Sequence, residues 1–101
     1  MNCVWTWGGI FFGYLEGENV WTYDGKHVGK LRCNVIFGAD GRYLGELKNG
    51  NRLIVQVGEQ RPSIPAFIPY TKRPPATRYA DAAGNSMLDG HEDFPSPESF
   101  G

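Results

Sequence analysis

Cysteine is scarce in this chain and long apolar runs are missing, and each absence closes off a class of protein. The only cysteines, Cys3 and Cys33, form no Cys-x-x-Cys pair, and no histidine stands at metal-ligand spacing. Neither a disulfide framework nor a metal site is expected, and two reduced thiols in a cytosolic protein are the plainer reading. No apolar run approaches the ~20 residues that a membrane span needs. Met1-Asn2-Cys3-Val4 opens straight into patterned sequence, where a signal peptide would place a basic stretch and a Leu/Ala-rich run. A cytoplasmic location without a membrane partner is the expectation. An excess of one charge is lacking too: 10 basic and 11 acidic side chains leave a formal net charge of −1. That offers no field for a phosphate backbone, so duplex nucleic acid is not an expected partner. Nucleophile motifs are absent, and the Gly-Gly and Asp-Gly pairs lack the lysine and following helix of a phosphate loop. An enzyme with catalytic residues is therefore not expected, and no cofactor is implied.

What is present is repetition. Val4-Trp5-Thr6-Trp7-Gly8-Gly9 returns sixteen residues later as Val20-Trp21-Thr22-Tyr23-Asp24-Gly25, and again as Ile36-Phe37-Gly38-Ala39-Asp40-Gly41. Four residues after each pair comes Gly-x-Leu: Gly13 and Leu15, Gly29 and Leu31, Gly45 and Leu47. A fixed period means one supersecondary unit used several times. Each unit reads as a β-hairpin, with β-branched and aromatic residues before a turn whose glycine reaches positive φ and whose aspartate tolerates it. Phe12 and Leu15, Val28 and Leu31, and Leu44 and Leu47 lie three apart, which strict alternation would put on opposite faces. A bulge at the glycine restores them to one.

A fourth, degraded unit is implied by Leu53-Ile54-Val55-Gln56-Val57-Gly58, with Ser63–Ile68 as a possible return strand, although Pro62 and Pro65 suit an edge. Four hairpins around an axis close a ring and remove exposed edges; three hairpins plus a lone strand is the weaker alternative. From about Lys72 the periodicity vanishes, and residues 71–101 carry three basic and five acidic side chains among prolines and glycines. The expected fold is all-β: three to four hairpins of period 16 with approximate four-fold pseudo-symmetry over residues 1–70, then an acidic, extended or disordered tail over 71–101.

Phe12-Gly13-Tyr14-Leu15-Glu16-Gly17-Glu18-Asn19, Thr22-Tyr23-Asp24-Gly25-Lys26-His27-Val28-Gly29, Asp40-Gly41-Arg42-Tyr43-Leu44-Gly45-Glu46-Leu47 and the ending Gly90-His91-Glu92-Asp93-Phe94-Pro95-Ser96-Pro97-Glu98 resemble the bacterial proteins called the four-fold β-flower family. The resemblance implies the fold and a bacterial or phage origin. It carries over no catalytic residue, because no activity is assigned to that family.

The repeat columns mark where binding could occur. Trp5, Trp21 and Phe37 are equivalent, and they either pack as core, the favoured reading, or line an aromatic mouth for a base, sugar or cation. Phe11, His27 and Tyr43 form a second column, either cross-strand packing on a half-exposed face or a partner surface. Lys26, Lys30, Arg32 and Arg42 recur near equivalent positions, so a positive rim for a small anionic ligand is the rival to a solvated surface. Asp24 and Asp40 belong to turns and not to a pair of catalytic carboxylates. In the tail, Asp93, Phe94, Pro95 and Pro97 compose a stiff segment that either recognises a groove on another chain or docks on its own ring. The best functional statement is a non-enzymatic binding module with a protein partner or self-association. Sequestration of a small anionic metabolite or nucleotide comes second, and an enzyme of unrecognised class third.

Overall fold

A computed structural model describes residues 2–58 and 62–100. Eight strands succeed one another: β1 (Asn2–Thr6), β2 (Phe11–Glu16), β3 (Asn19–Thr22), β4 (His27–Arg32), β5 (Val35–Phe37), β6 (Tyr43–Lys48), β7 (Arg52–Gln56) and β8 (His91–Asp93), followed by a 3₁₀ turn over Pro97–Phe100. Each strand pairs antiparallel with the next. The sheet then closes on itself, because β1 runs parallel to β7 with Trp5 opposite Arg52 and Thr6 opposite Leu53. The result is a disc of 36 × 35 × 22 Å.

The glycine column marks a bulge in every unit, as its spacing requires. Val4 pairs with Gly13 but Trp5 with Phe11, Val20 with Gly29 but Trp21 with His27, and Ile36 with Gly45 but Phe37 with Tyr43. Phe12, Val28 and Leu44 are the extra residues, and the bulge turns each of them to the same side as the leucine three positions on. Val4, Val20, Ile36 and Leu53 join Phe12, Leu15 and Val28 in one apolar cluster, with Leu31, Leu44 and Leu47 packed against it. Full burial of such a side chain contributes roughly 1.5–3 kcal/mol. In a chain this small, the ring depends on nearly every repeat supplying its share.

The turns that open each unit differ from the expected ones, in which the aspartate shares the glycine's positive φ. Gly9, Gly25 and Gly41 donate to the carbonyls of Thr6, Thr22 and Gly38 at 2.9, 3.0 and 2.8 Å, while the amides of Thr6, Thr22 and Gly38 bond Ile10, Lys26 and Arg42. These are three-residue loops in which glycine alone takes positive φ, at 98°, 96° and 82°. Asp40 stays at ordinary φ and accepts from the Arg42 amide at 3.0 Å, and Asp24 accepts from the Thr22 hydroxyl. The left-handed two-residue turn does occur, between units, at Cys33 (φ 50°) and Asn34 (φ 64°).

The fourth unit corrects the expected return strand. Residues 62–88 contain no strand, and the partner of β7 is β8, with Ile54 opposite Asp93, Val55 opposite Glu92 and Gln56 opposite His91. Ser63–Ile68 is disqualified by its prolines, which remove ladder donors. The end of the chain then plugs the ring. Phe94 is buried and meets Phe12 edge-on with centroids 5.2 Å apart, and Phe100 meets Phe12 at 5.8 Å. Gly45 lacks a side chain because its Cβ would lie 2.7 Å from the Phe94 ring.

Candidate functional site

The expected aromatic columns face away from the apolar cluster, and the bulge makes them direct cross-strand pairs. Trp5 meets Phe11 edge-on at 5.4 Å, and the Trp21 ring lies 4.9 Å from that of His27. Two columns that the sequence presents separately are thus one outer rim of paired rings. Trp21, Phe37, Phe11 and His27 are buried, and Trp5 and Tyr43 are half-buried. An open mouth is therefore ruled out for Trp21, whose side chain is fully covered.

The cover is the segment from residue 62 to 88, an extended strap that makes one lap of the rim. Its amides donate to the outer carbonyls of the turns in reverse chain order: Ile64 to Gly41, Arg73 to Gly25 and Ala82 to Gly9, at 2.8–2.9 Å. Between these, Phe67 donates to Ala39, Ala76 to Tyr23 and Asn85 to Trp7, at 2.7–3.1 Å. Donors 64, 73 and 82, and then 67, 76 and 85, are each nine residues apart, so nine strap residues span one sixteen-residue unit. A further step of nine lands on His91, where β8 begins. The turn glycines serve this contact as well as their own φ, because a Cβ on Gly25 or Gly41 would stand 2.0 Å from the carbonyl oxygen of Arg73 or Ile64. Residue 70, the expected boundary between ring and tail, lies inside the strap.

Side chains fasten the strap between turns. Tyr70 stacks on His27 at 5.0 Å and donates its amide to His27 Nδ1 at 3.0 Å, which leaves the imidazole proton on Nε2. Burial, with Lys30 and Arg73 nearby, pushes the His27 pKa down, so the ring is held neutral. Arg73 lies 3.8 Å above the Trp21 ring and bonds Glu16 at 2.7 Å, holding the Glu16 carboxyl below its usual value. Tyr79 meets Phe11 edge-on at 5.5 Å, and the indoles of Trp5 and Trp7 donate to the carbonyls of Ala80 and Ser86.

The basic candidates do not assemble into one rim. Lys26 reaches the Phe100 carbonyl, Lys30 sits over the Phe67 ring at 4.8 Å, and Arg32 lies 3.9 Å from Glu18. Arg42 is exposed. Tyr43 donates to Glu46 at 2.9 Å and accepts from the Gln56 amide at 3.0 Å. Of the tail candidates, Asp93 accepts from the Gly8 amide at 3.2–3.3 Å, Phe94 and Pro97 are buried and Pro95 is exposed. The segment docks on its own ring, so Phe94 and Pro97 present no side chain to another molecule.

Among the described residues, open grooves lie where strap and ring meet. One, of about 260 Å³, is lined by Asp24, Lys26, His27, Pro69, Tyr70 and Lys72. Another, of about 440 Å³, is lined by Cys3, Phe11, Tyr14, Tyr79 and the strap from Pro75 to Thr77. Sequence reasoning missed the strap residues altogether. The signal for them is the nine-residue spacing of Tyr70 from Tyr79 and of Pro65 from Pro74.

A family model described as the 4-fold beta flower protein matches residues 1–87, taking in the ring and almost all of the strap. The chain belongs to the 4-fold beta flower family. No curated protein and no solved structure matches this beta flower. No helix among its described residues is long and apolar enough to cross a membrane.

Proposed function

We propose that this beta flower is a non-enzymatic binding module that holds a protein partner on the outward side of its strap. The carrying observation is that most of the exposed large apolar side chains among the described residues lie along that one segment: Ile68 is 93% exposed, Tyr70 60% and Tyr79 53%, followed by Met87 and Leu88, with Ile10 and Val57 outside it. A domain with few apolar residues to spare gains no stability from keeping these in water, and apolar surface concentrated on one belt marks an interaction site. Prolines 65, 69, 74 and 75 stiffen the belt and lower the entropy lost on binding. His27 supports a binding role over a catalytic one, since its Nδ1 lone pair is taken by the Tyr70 amide and its Nε2 is buried without a hydrogen-bond partner among the described residues, so no ring nitrogen is presented to a substrate. A photo-crosslinking residue placed at Ile68 is expected to capture a discrete protein in cells. The same residue at exposed Asn34, between units, is expected to capture none. Equal capture at both positions, or none at Ile68, would refute the reading.

A second reading, sequestration of a small anion, is favoured by the groove that Lys26 and Lys72 line together with Tyr70, His27 and Asp24. Native mass spectrometry of the purified protein tests it through a co-purified anionic mass that Lys72→Ala removes.

A further inference from the structure

The pseudo-symmetry leaves one seat on the rim without its side chain. In the second unit, Phe67 fills the space between strap and ring: its phenyl lies 5.6 Å from His27, with Lys30 Nζ above it at 4.8 Å. Stepping one unit back along the ring and nine residues on along the strap replaces His27 by Phe11, Lys30 by Tyr14, Tyr70 by Tyr79 and Phe67 by Ala76. The backbone is equivalent, since Ala76 donates to the Tyr23 carbonyl as Phe67 does to that of Ala39. The side chain is not. Where the phenyl should be, the groove of about 440 Å³ opens, walled by Phe11, Tyr14, Tyr79, Cys3 and Thr77.

We propose that this notch binds a small molecule carrying one uncharged, phenyl-sized aromatic ring, seated as Phe67 is seated in the neighbouring unit. The walls offer three aromatic rings, two of them nearly buried, and such surfaces favour edge-on or offset contact with another ring. No charged residue lines the notch, and Tyr14 stands where the second unit has the cation of Lys30. The charges bonded to its walls, Arg73 at Tyr14 and Asp81 at the Phe11 amide, are already paired with Glu16 and Arg78, which leaves no free counter-charge for an ionic ligand. The strap already occupies the lane that an extended peptide would follow, which favours a free molecule over a side chain borne on a partner. The notch is separate from the outward side chain of Ile68, so this inference stands or falls apart from the proposed strap interface.

The test is an amide-resolved NMR titration of the full chain with p-cresol. The wild type is expected to show saturable shifts confined to Cys3, Phe11, Tyr14 and residues 76–79. Ala76→Phe supplies the missing ring from the strap itself, and is expected to melt no lower than wild type while weakening p-cresol binding about tenfold or more. Phe67→Ala empties the equivalent seat and is expected to add a second p-cresol site beside His27. The inference is overturned if the wild type shows no saturable shift, if Ala76→Phe binds as well as wild type, or if Phe67→Ala gains no site. Tighter binding of tetramethylammonium than of p-cresol would also overturn it, by making the notch a cation cage.

Discussion

In the ring, strands β1 to β7 are hydrogen-bonded on both edges and their apolar side chains meet in one cluster. In the strap, from residue 62 to 88, the backbone forms no ladder, most side chains are exposed, and attachment comes at two amides per turn with a ring or guanidinium between. The ring draws its free energy from buried area, which tolerates imprecision. The strap draws its own from a close approach of two backbones, which does not. A small ring can thus carry an extended segment with no secondary structure of its own, provided its turns present bare carbonyls at a regular pitch.

The severest way to break this contrast is to remove residues 76–101. The deletion takes away β8, the Phe94 and Phe100 plug and half the strap, and the remainder is expected to be insoluble or to lack a cooperative melt by circular dichroism. A soluble remainder that melts cooperatively would show the ring to be self-sufficient. Next comes Trp21→Ala, which empties the space between ring and strap and is expected to cost roughly 3–5 kcal/mol in chemical denaturation. Trp21→Phe should cost clearly less, because the indole N–H is buried without an acceptor among the described residues and its removal is a partial gain. Wild-type stability in Trp21→Ala would mean that the strap contributes nothing to holding the fold.

A sharper comparison sets Gly25→Val against Gly50→Val. Both glycines have positive φ, at 96° and 81°, but the Gly50 Cβ would meet nothing within 4 Å. Gly50→Val is expected to lose about 1–3 kcal/mol from backbone strain alone. Gly25→Val should lose more and also raise hydrogen exchange at the Arg73 and Ala76 amides, and equal losses would show that the strap does not press on the turn. The smallest effect is expected from acidification. The folded pKa of His27 lies below its unfolded value of about 6.5, so the unfolded state binds the proton more readily. The stabilisation is complete above that pH and is lost as pH falls through the folded pKa. Exchange of the Tyr70 amide should rise as pH falls from neutral to 5, after correction for intrinsic rates, and His27→Gln should abolish that dependence.

The repeat made most of the ring legible, because a hairpin is a local object: its turn residues, its bulge glycine and its apolar positions all lie within sixteen residues. The bulge that puts Phe12 and Leu15 on one side follows from their spacing alone. The pairing of Trp21 with His27 follows from that bulge, yet it requires the register to be drawn. The strap was far less legible, since Ile64, Arg73 and Ala82 share a role and no side-chain chemistry. Their common feature is a backbone amide aimed at a turn carbonyl, which side-chain identity does not encode. The same blindness assigned the fourth return strand to Ser63–Ile68, near in sequence, and missed His91–Asp93.

What the sequence determined by itself is therefore the hairpin unit, its three regular copies and the side of each strand that packs inward, because period, turn glycines and alternation are short-range properties of the backbone; whether a fourth unit closes was left open. The tertiary structure decided where the tail goes. Whether an extended, proline-rich segment stays in solvent or encircles a ring depends on backbone groups brought together from positions 23 to 78 residues apart, and on glycines whose missing Cβ matters only once a second backbone has arrived.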